Sequence, residues 1–206
     1  MPETATATRR GANWEARREA IIDTSARVFA HGGYHGTGIA ELCEANDLGK
    51  GALYHYIGSK EELLEAIHDR VMDEVLKAAD RVAESTAPAA ERLTAIGTDL
   101  LSIMERYPDH VWVFLHEFPA LTGARAKKFR QRRRSFESAV EQVIVDGIAS
   151  GEFRDVDPRL AMLGWYGMFN YTYLWLRPDG KLAAHEVAER FADLFLNGLS
   201  IHGIHA

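Results

Sequence analysis

Lys50, Tyr54, His55, Tyr56 and Lys60 set five donor side chains between positions 50 and 60, interleaved with the small residues Gly51 and Ala52. Cationic and hydroxyl donors suit phosphate oxygens and base edges, and small residues let a helix backbone come close to a groove wall. Thr37 adds a hydroxyl at the start of the preceding segment. The chemistry implied is recognition, not catalysis. The chain has no Gly-rich phosphate loop, no nucleophile-elbow pattern and no HExxH motif. His31 and His35 are separated by Gly32-Gly33 and share no dependable helix face, and His202 and His205 sit in a segment expected to fray. The expectation is a protein that is not an enzyme, with no metal site and no cofactor.

Such donors need a rigid carrier. The stretch TGIAELCEANDLGKGALYHYIGSK, Thr37 to Lys60, reads as two short helices broken by a polar turn, the sequence form of a helix-turn-helix. The first helix is expected over about Gly38 to Ala45, with Thr37 as its N-cap and Glu41 near its positive end. Ile39, Leu42 and Cys43 fall on its packed face. Asn46-Asp47 supplies the turn, because Asn and Asp tolerate left-handed backbone. The second helix is expected from about Gly49 to Tyr56, with Leu53 inward. Ser59, followed by Glu61 and Glu62, is a good cap for the next helix.

Residues 14 to 64 resemble the DNA-binding head of the TetR family of bacterial transcriptional repressors. The resemblance is carried by Phe29, Gly33-Tyr34, Thr37, Leu42, Leu48, Lys50-Gly51, Leu53-Tyr54, Ser59-Lys60 and Leu63. Asp47 stands where that family usually has a turn glycine, Gly49 where serine often caps, and Ile57 where phenylalanine is common. The resemblance implies double-stranded operator DNA as partner, with phosphate contacts from Tyr54 and Lys60 and base reading by Lys50. It further implies a homodimer joined through its last two long helices, and a small-molecule effector in the C-terminal bundle that moves the heads apart. The bland alternative for Tyr54 is a buried tyrosine, and for Lys60 a solvated lysine.

The formal charge is -6, not that of a protein that coats DNA by charge alone. In residues 1–60, Arg9, Arg10, Arg17, Arg18, Arg27, Lys50 and Lys60 are matched one for one by Glu3, Glu15, Glu19, Asp23, Glu41, Glu44 and Asp47. Binding by such a neutral head depends on placement. Residues 1–13 are expected to be a disordered tail, whose Arg9 and Arg10 either reach DNA or are simply solvated. A single cysteine excludes an internal disulfide. The N-terminus lacks an apolar signal core, and no apolar run nears the ~20 residues that span a bilayer. A cytoplasmic protein with no membrane partner is expected.

Beyond Lys60, helical periodicity covers residues 60 to 85, 89 to 106, 122 to 150, 158 to 177 and 183 to 201, divided by proline and glycine breaks. Val111 to Leu115 has strand propensity but no partner strand, and reads as a short helix. The fold expected is all-α: a three-helix helix-turn-helix head over residues 14–59, joined to a helical ligand-binding and dimerisation bundle over 60–206. Leu160 to Leu176 is apolar or aromatic all the way round and so must be covered on two sides. One side can meet a second subunit through Leu163, Gly167 and Tyr171. Phe191, Leu194, Phe195 and Gly198 form a matching stripe on the last helix. A two-fold dimer would present its recognition helices about 34 Å apart, or a multiple of it, on a pseudo-palindromic operator.

Trp112, His116, Phe118, Trp165, Phe169 and Tyr173 make the bundle aromatic, as either plain core or the lining of a pocket for an apolar ligand oriented by His116 and Asn170. Arg125, Lys127, Lys128, Arg130, Arg132, Arg133 and Arg134 form a dense basic run. It is either a solvated face or, with Arg133 as its ligand contact, a phosphate-binding patch. The C-terminal layout is similar to TetR-type regulators of lipid and steroid catabolism, which implies an acyl-CoA or related lipid effector. The alternatives are a planar aromatic drug sensed by an efflux repressor and, from another class, a small-molecule enzyme.

Overall fold

The computed structural model describes residues 3–177 and 180–199; His202 and His205 lie outside them, as do Pro178 and Asp179. Among the described residues the architecture is all-helical. α1 (Glu3–Gly32) takes in residues 3–13, expected to be a disordered tail. Extending an existing helix fixes one residue per hydrogen bond and avoids the nucleation cost, and this Ala- and Arg-bearing segment has no proline after Pro2 to stop it. Ile21, Ile22, Ala26 and Phe29 of α1 are buried, the i, i+4 and i, i+3 spacing of one inward face.

α2 (Ile39–Asn46) and α3 (Lys50–Ile57) complete the head. Asp47 is left-handed, at φ 51° and ψ 51°, and its backbone N–H donates back to α2 carbonyls. Asn46 closes α2: its amide donates to the Leu42 carbonyl (2.8 Å) and to Ser25 Oγ of α1 (3.3 Å). Asp47→Gly is expected to raise the unfolding free energy by up to about 1 kcal/mol, because relief of left-handed strain exceeds the added freedom of the unfolded chain. The check is a higher urea midpoint at unchanged slope.

The remaining helices are α4 (Lys60–Ala83), α5 (Ala89–Arg106), α6 (Pro108–His116), α7 (Gly123–Ala149), α8 (Pro158–Asn170) and α9 (Ala184–Leu199). Their starts are chemically marked. Ser59 Oγ accepts from the Glu62 N–H at 3.0 Å, and Asp157 Oδ1 accepts from the Leu160 N–H at 2.9 Å. Glu152, distant in sequence, accepts from the Ala89 and Ala90 N–H groups and so caps α5. Val111 to Leu115 is helical, within α6.

The helix expected over 158 to 177 stops at Asn170 and continues as a 3-10 turn, Tyr171–Leu174. Thr172 is the physical reason: its hydroxyl donates to the Phe169 carbonyl at 2.7 Å and competes with the regular ladder. One buried apolar cluster runs from Ile21 and Phe29 of the head through Leu63, Leu64 and Ile67 of α4 into the bundle. Head and bundle therefore meet through packed side chains and not through a loose linker.

α1, α4 and α6 also meet through charge. Arg70 of α4 pairs with Glu19 and lies 3.7 Å from Asp23 of α1, while His110 Nε2 of α6 lies 3.3 Å from the same Asp23. Burial, and then the neighbouring Arg70, depress the His110 pKa to about 4. Burial likewise lowers His68. An unfolded imidazole titrates near the ordinary value of about 6.5. The stability linked to these neutral histidines is thus complete above that pH and lost as pH falls through it toward 4. Unfolding free energy is expected to drop by up to about 1.4 kcal/mol per pH unit from His110 alone, and His110→Leu should flatten that slope in denaturant titrations at stepped pH.

Candidate nucleic-acid interface and effector cavity

α3 is positioned by Leu53 and Ile57, which are buried. That leaves Lys50, Gly51, Ala52 and His55 exposed, with Tyr54 and Tyr56 half-buried. A Cβ added at Gly49 or Gly51 would meet nothing within 4 Å, so the outer side of α3 is open to close approach. Trp14 of α1, which carried no signal in the motif, braces the helix. Its indole stacks on Tyr56 at 5.8 Å, and its Nε1–H donates to His55 Nε2 at 3.3 Å. Arg17 donates to the Asn46 carbonyl at the end of α2 (3.1 Å).

Two of the expected donors are turned inward. Thr37 is not the cap of α2: the helix begins one residue later, at Ile39, with Gly38 as its N-cap. Thr37 is buried, and its hydroxyl donates to the Gly33 carbonyl at 2.9 Å instead of capping α2. The Lys60 ammonium donates to the Tyr34 carbonyl and sits over the Tyr34 ring at 4.3 Å. It ties the start of α4 to the loop between α1 and α2.

In the bundle, a narrow cavity of about 20 Å³ lies between α4, α5, α6, α7 and α8, room for about one water. Val71, Met72, Leu100, Phe114 and Phe136 supply apolar lining, and Arg133, Tyr166 and Asn170 mark its polar end. Arg133 Nε donates to the buried Glu137 carboxylate at 3.0 Å, and its guanidinium lies over the Tyr166 ring. Arg159 completes the neutralisation of Glu137 at 3.0 Å.

Of the residues expected to bind a ligand, Arg133 and Asn170 line this cavity. The others lie elsewhere. Trp165 and Phe169 are fully buried core, with the Phe169 ring seated where a Gly97 Cβ would be. Phe118 is 40% exposed and stacks on Phe129. Trp112 and Tyr173 line a different hollow of about 220 Å³, between α1, α6 and the 3-10 turn, together with His31, Glu105 and Asp109. His116 is exposed, stacks on Trp112 and bonds the Tyr173 hydroxyl at 3.0 Å. The apolar residues Val71, Met72 and Leu100 were missed because a cavity stripe and a core stripe have the same helical period.

The basic run divides into two faces. Arg125, Lys128 and Arg132 form a ladder with Glu65, Asp69 and Asp73 of α4. Burial pushes the Glu65 carboxyl upward, but Lys128 and Arg125 hold it below the usual carboxylate range. Lys127, Arg130 and Arg134 face solvent and have no ion pair among the described residues. With Gln131, Ser135 and Ser138 they line an open hollow of about 490 Å³.

α8 and α9 share an uncovered apolar face. Leu160 is 69% and Leu194 66% exposed, and Leu163, Tyr171 and Leu174 are exposed nearby. Leu160, Met168, Leu194, Phe195 and Gly198 line one groove, and a Cβ at Gly164, Gly167 or Gly198 would meet nothing. Phe191 instead points inward and packs against Phe169 and Trp175. Among the described residues no helix is long and apolar enough to cross a membrane, and no group of three His, Cys, Asp or Glu residues could hold a metal.

Comparison with known proteins accounts for both halves. Residues 21–67 match the family described as bacterial regulatory proteins, tetR family, and residues 86–199 match the tetracyclin repressor-like C-terminal domain. The chain is 25% identical over 191 residues to the HTH-type transcriptional repressor KstR2 of Mycobacterium tuberculosis, covering 92% of this chain and 96% of the relative. Among solved structures, the regulator PfmR from Thermus thermophilus is 31% identical with a TM-score of 0.81, covering 87% of this chain and 98% of its own. AibR, solved in complex with isovaleryl coenzyme A and operator DNA, is 32% identical with a TM-score of 0.75, covering 89% and 98%. A helix-turn-helix head with an open recognition face, a helical bundle around a narrow cavity and these matches together place the chain in the TetR family of bacterial transcriptional regulators.

Proposed function

We propose that this protein is a repressor that binds a pseudo-palindromic operator as a homodimer and is released by an acyl-CoA or related lipid metabolite. The observation that carries the reading is the apolar cavity with Arg133 in its lining, on the same helix as Lys127, Arg130 and Arg134, which have no ion pair among the described residues. An acyl chain suits the apolar lining, and arginines suit the phosphates of a CoA group. The relative AibR, with isovaleryl coenzyme A in its solved complex, supports the ligand class.

The mechanism follows from linkage. A cavity with room for about one water cannot hold an acyl chain, so the effector binds an opened bundle more tightly than the closed one, and only such a difference shifts the equilibrium. α4 is the lever: Val71, Met72 and Val75 line the cavity, while Lys60 at its start is fastened to Tyr34 of the head. Moving α4 re-spaces the two recognition helices. A coupling of about 1–3 kcal/mol would change operator affinity about 5–150-fold.

On DNA, Tyr54 and the exposed end of α3 contact phosphates and Lys50 reads a base. Lys50→Ala is expected to relax preference at one position of each half-site by about 1–3 kcal/mol, measured on an operator mutated base by base. The reading as a whole is tested by titrating the protein against DNA upstream of its own coding region at several salt concentrations. Specific, salt-dependent binding by a dimer supports it; no binding at any salt removes it.

A second reading has its own observation. The hollow lined by Trp112 and Tyr173, with Glu105 and Asp109 at its edge, suits a planar aromatic effector. It predicts operator release by compounds without phosphate and indifference to Arg133→Ala.

A further inference from the structure

His68 sits in α4 with 2% of its surface exposed. Its Nδ1 lies 2.9 Å from the Leu64 carbonyl. A carbonyl only accepts, so Nδ1 carries the proton and donates, and Nε2 is left as a bare acceptor. Nε2 has no hydrogen-bond partner among the described residues. Burial holds the imidazole below its ordinary pKa, so the ring is neutral and its acceptor lone pair is available at physiological pH. A buried acceptor left unpaired has given up its hydrogen bond to water without replacement.

The surroundings give that lone pair a direction. His68, Val71, Met72 and Val75 follow the i, i+3, i+4, i+7 rule and share one inward stripe of α4; the last three line the narrow cavity. The His68 ring packs against Phe114, at 5.8 Å, and Phe129, at 5.3 Å. Phe114 lines the cavity too, so the cavity and the His68 ring share this neighbour.

We propose that the opened cavity extends to His68 and that His68 Nε2 accepts a hydrogen bond from the effector, which therefore carries a hydroxyl or amide N–H donor on its apolar body. The inference rests on the reading that the bundle takes an effector, and it names a group that this effector must present. His68 is a specificity-determining residue: an effector without the donor leaves Nε2 unpaired and binds more weakly.

The test uses 1-octanol and heptyl methyl ether, isomers with the same number of heavy atoms that differ in having a donor. Binding to the full-length protein is measured by calorimetry, and the His68 side-chain nitrogens are followed by NMR. The wild type is expected to prefer the alcohol about tenfold, with the Nε2 resonance moving upfield for the alcohol alone. In His68→Phe the preference should collapse to less than about threefold, while His68→Gln, which retains an acceptor, should restore part of it. Unchanged operator binding by both variants verifies their folding. Equal binding of the two isomers, a preference that survives in His68→Phe, or binding of neither isomer overturns the proposal. The acyl-CoA reading is decided separately, by whether CoA esters release operator DNA.

Discussion

Trp165→Ala is expected to lower the unfolding free energy by about 3–5 kcal/mol, a large part of the ~5–15 kcal/mol typical of a folded domain. Trp165 has none of its surface exposed and packs against Phe169, which in turn fills the notch over Gly97 of α5 and touches Phe191 of α9. Removing the indole empties the place where α5, α8 and α9 converge. Trp165→Phe should behave differently. The indole Nε1–H is buried without a partner among the described residues, so phenylalanine loses some volume but also removes an unsatisfied donor, and a cost below about 1.5 kcal/mol is expected. Urea unfolding of the two variants at one protein concentration checks the pair. Equal, large losses would mean that the N–H has a partner.

Leu194→Arg is expected to convert the protein to a monomer and to weaken operator binding about 100- to 10,000-fold. Leu194 is 66% exposed in a groove with Leu160, Met168, Phe195 and Gly198. Such a face is costly to leave in water and offers small residues for close helix contact. In the proposed dimer, an arginine placed there would meet its own symmetry mate across the two-fold axis, unpaired and desolvated. Each head then binds alone, and the effective-concentration gain of joining two half-sites, about 10²–10⁴, disappears. Sedimentation of the variant beside operator titration measures both parts. A Leu194→Arg protein that remains dimeric would move the interface away from α8 and α9.

The sequence was most legible where geometry is local. The block from Thr37 to Lys60 carries its own turn and caps, and α2, Asp47 and α3 lie within a residue or two of where those signals place them. The errors there came from competition between partners at short range: Thr37 found the Gly33 carbonyl and Lys60 the Tyr34 carbonyl. The bundle was legible as helices but less so as a site. Aromatic content could not separate Trp165, which is core, from Trp112, which lines a hollow, because both occupy inward helical positions. Three of the seven residues of the basic run, Arg125, Lys128 and Arg132, are partners for the acidic stripe Glu65, Asp69 and Asp73 of α4. That pairing depends on α4 and α7 running in the same direction side by side, which no local signal encodes. His68 was invisible for the same reason, since an unpaired Nε2 is a property of the packed interior.

The claim at the centre of this account is that one bundle cavity controls the spacing of two DNA-reading heads. The most direct measurement is fluorescence anisotropy of a labelled operator duplex bound by the protein, titrated with acyl-CoAs of increasing chain length and, in parallel, with CoA alone and the free acids. The expected result is release by a subset of acyl-CoAs, little effect of either half alone, and a loss of response in Arg133→Ala while operator affinity is retained. Operator binding that no acyl-CoA changes, or release that is equal in Arg133→Ala, would contradict it.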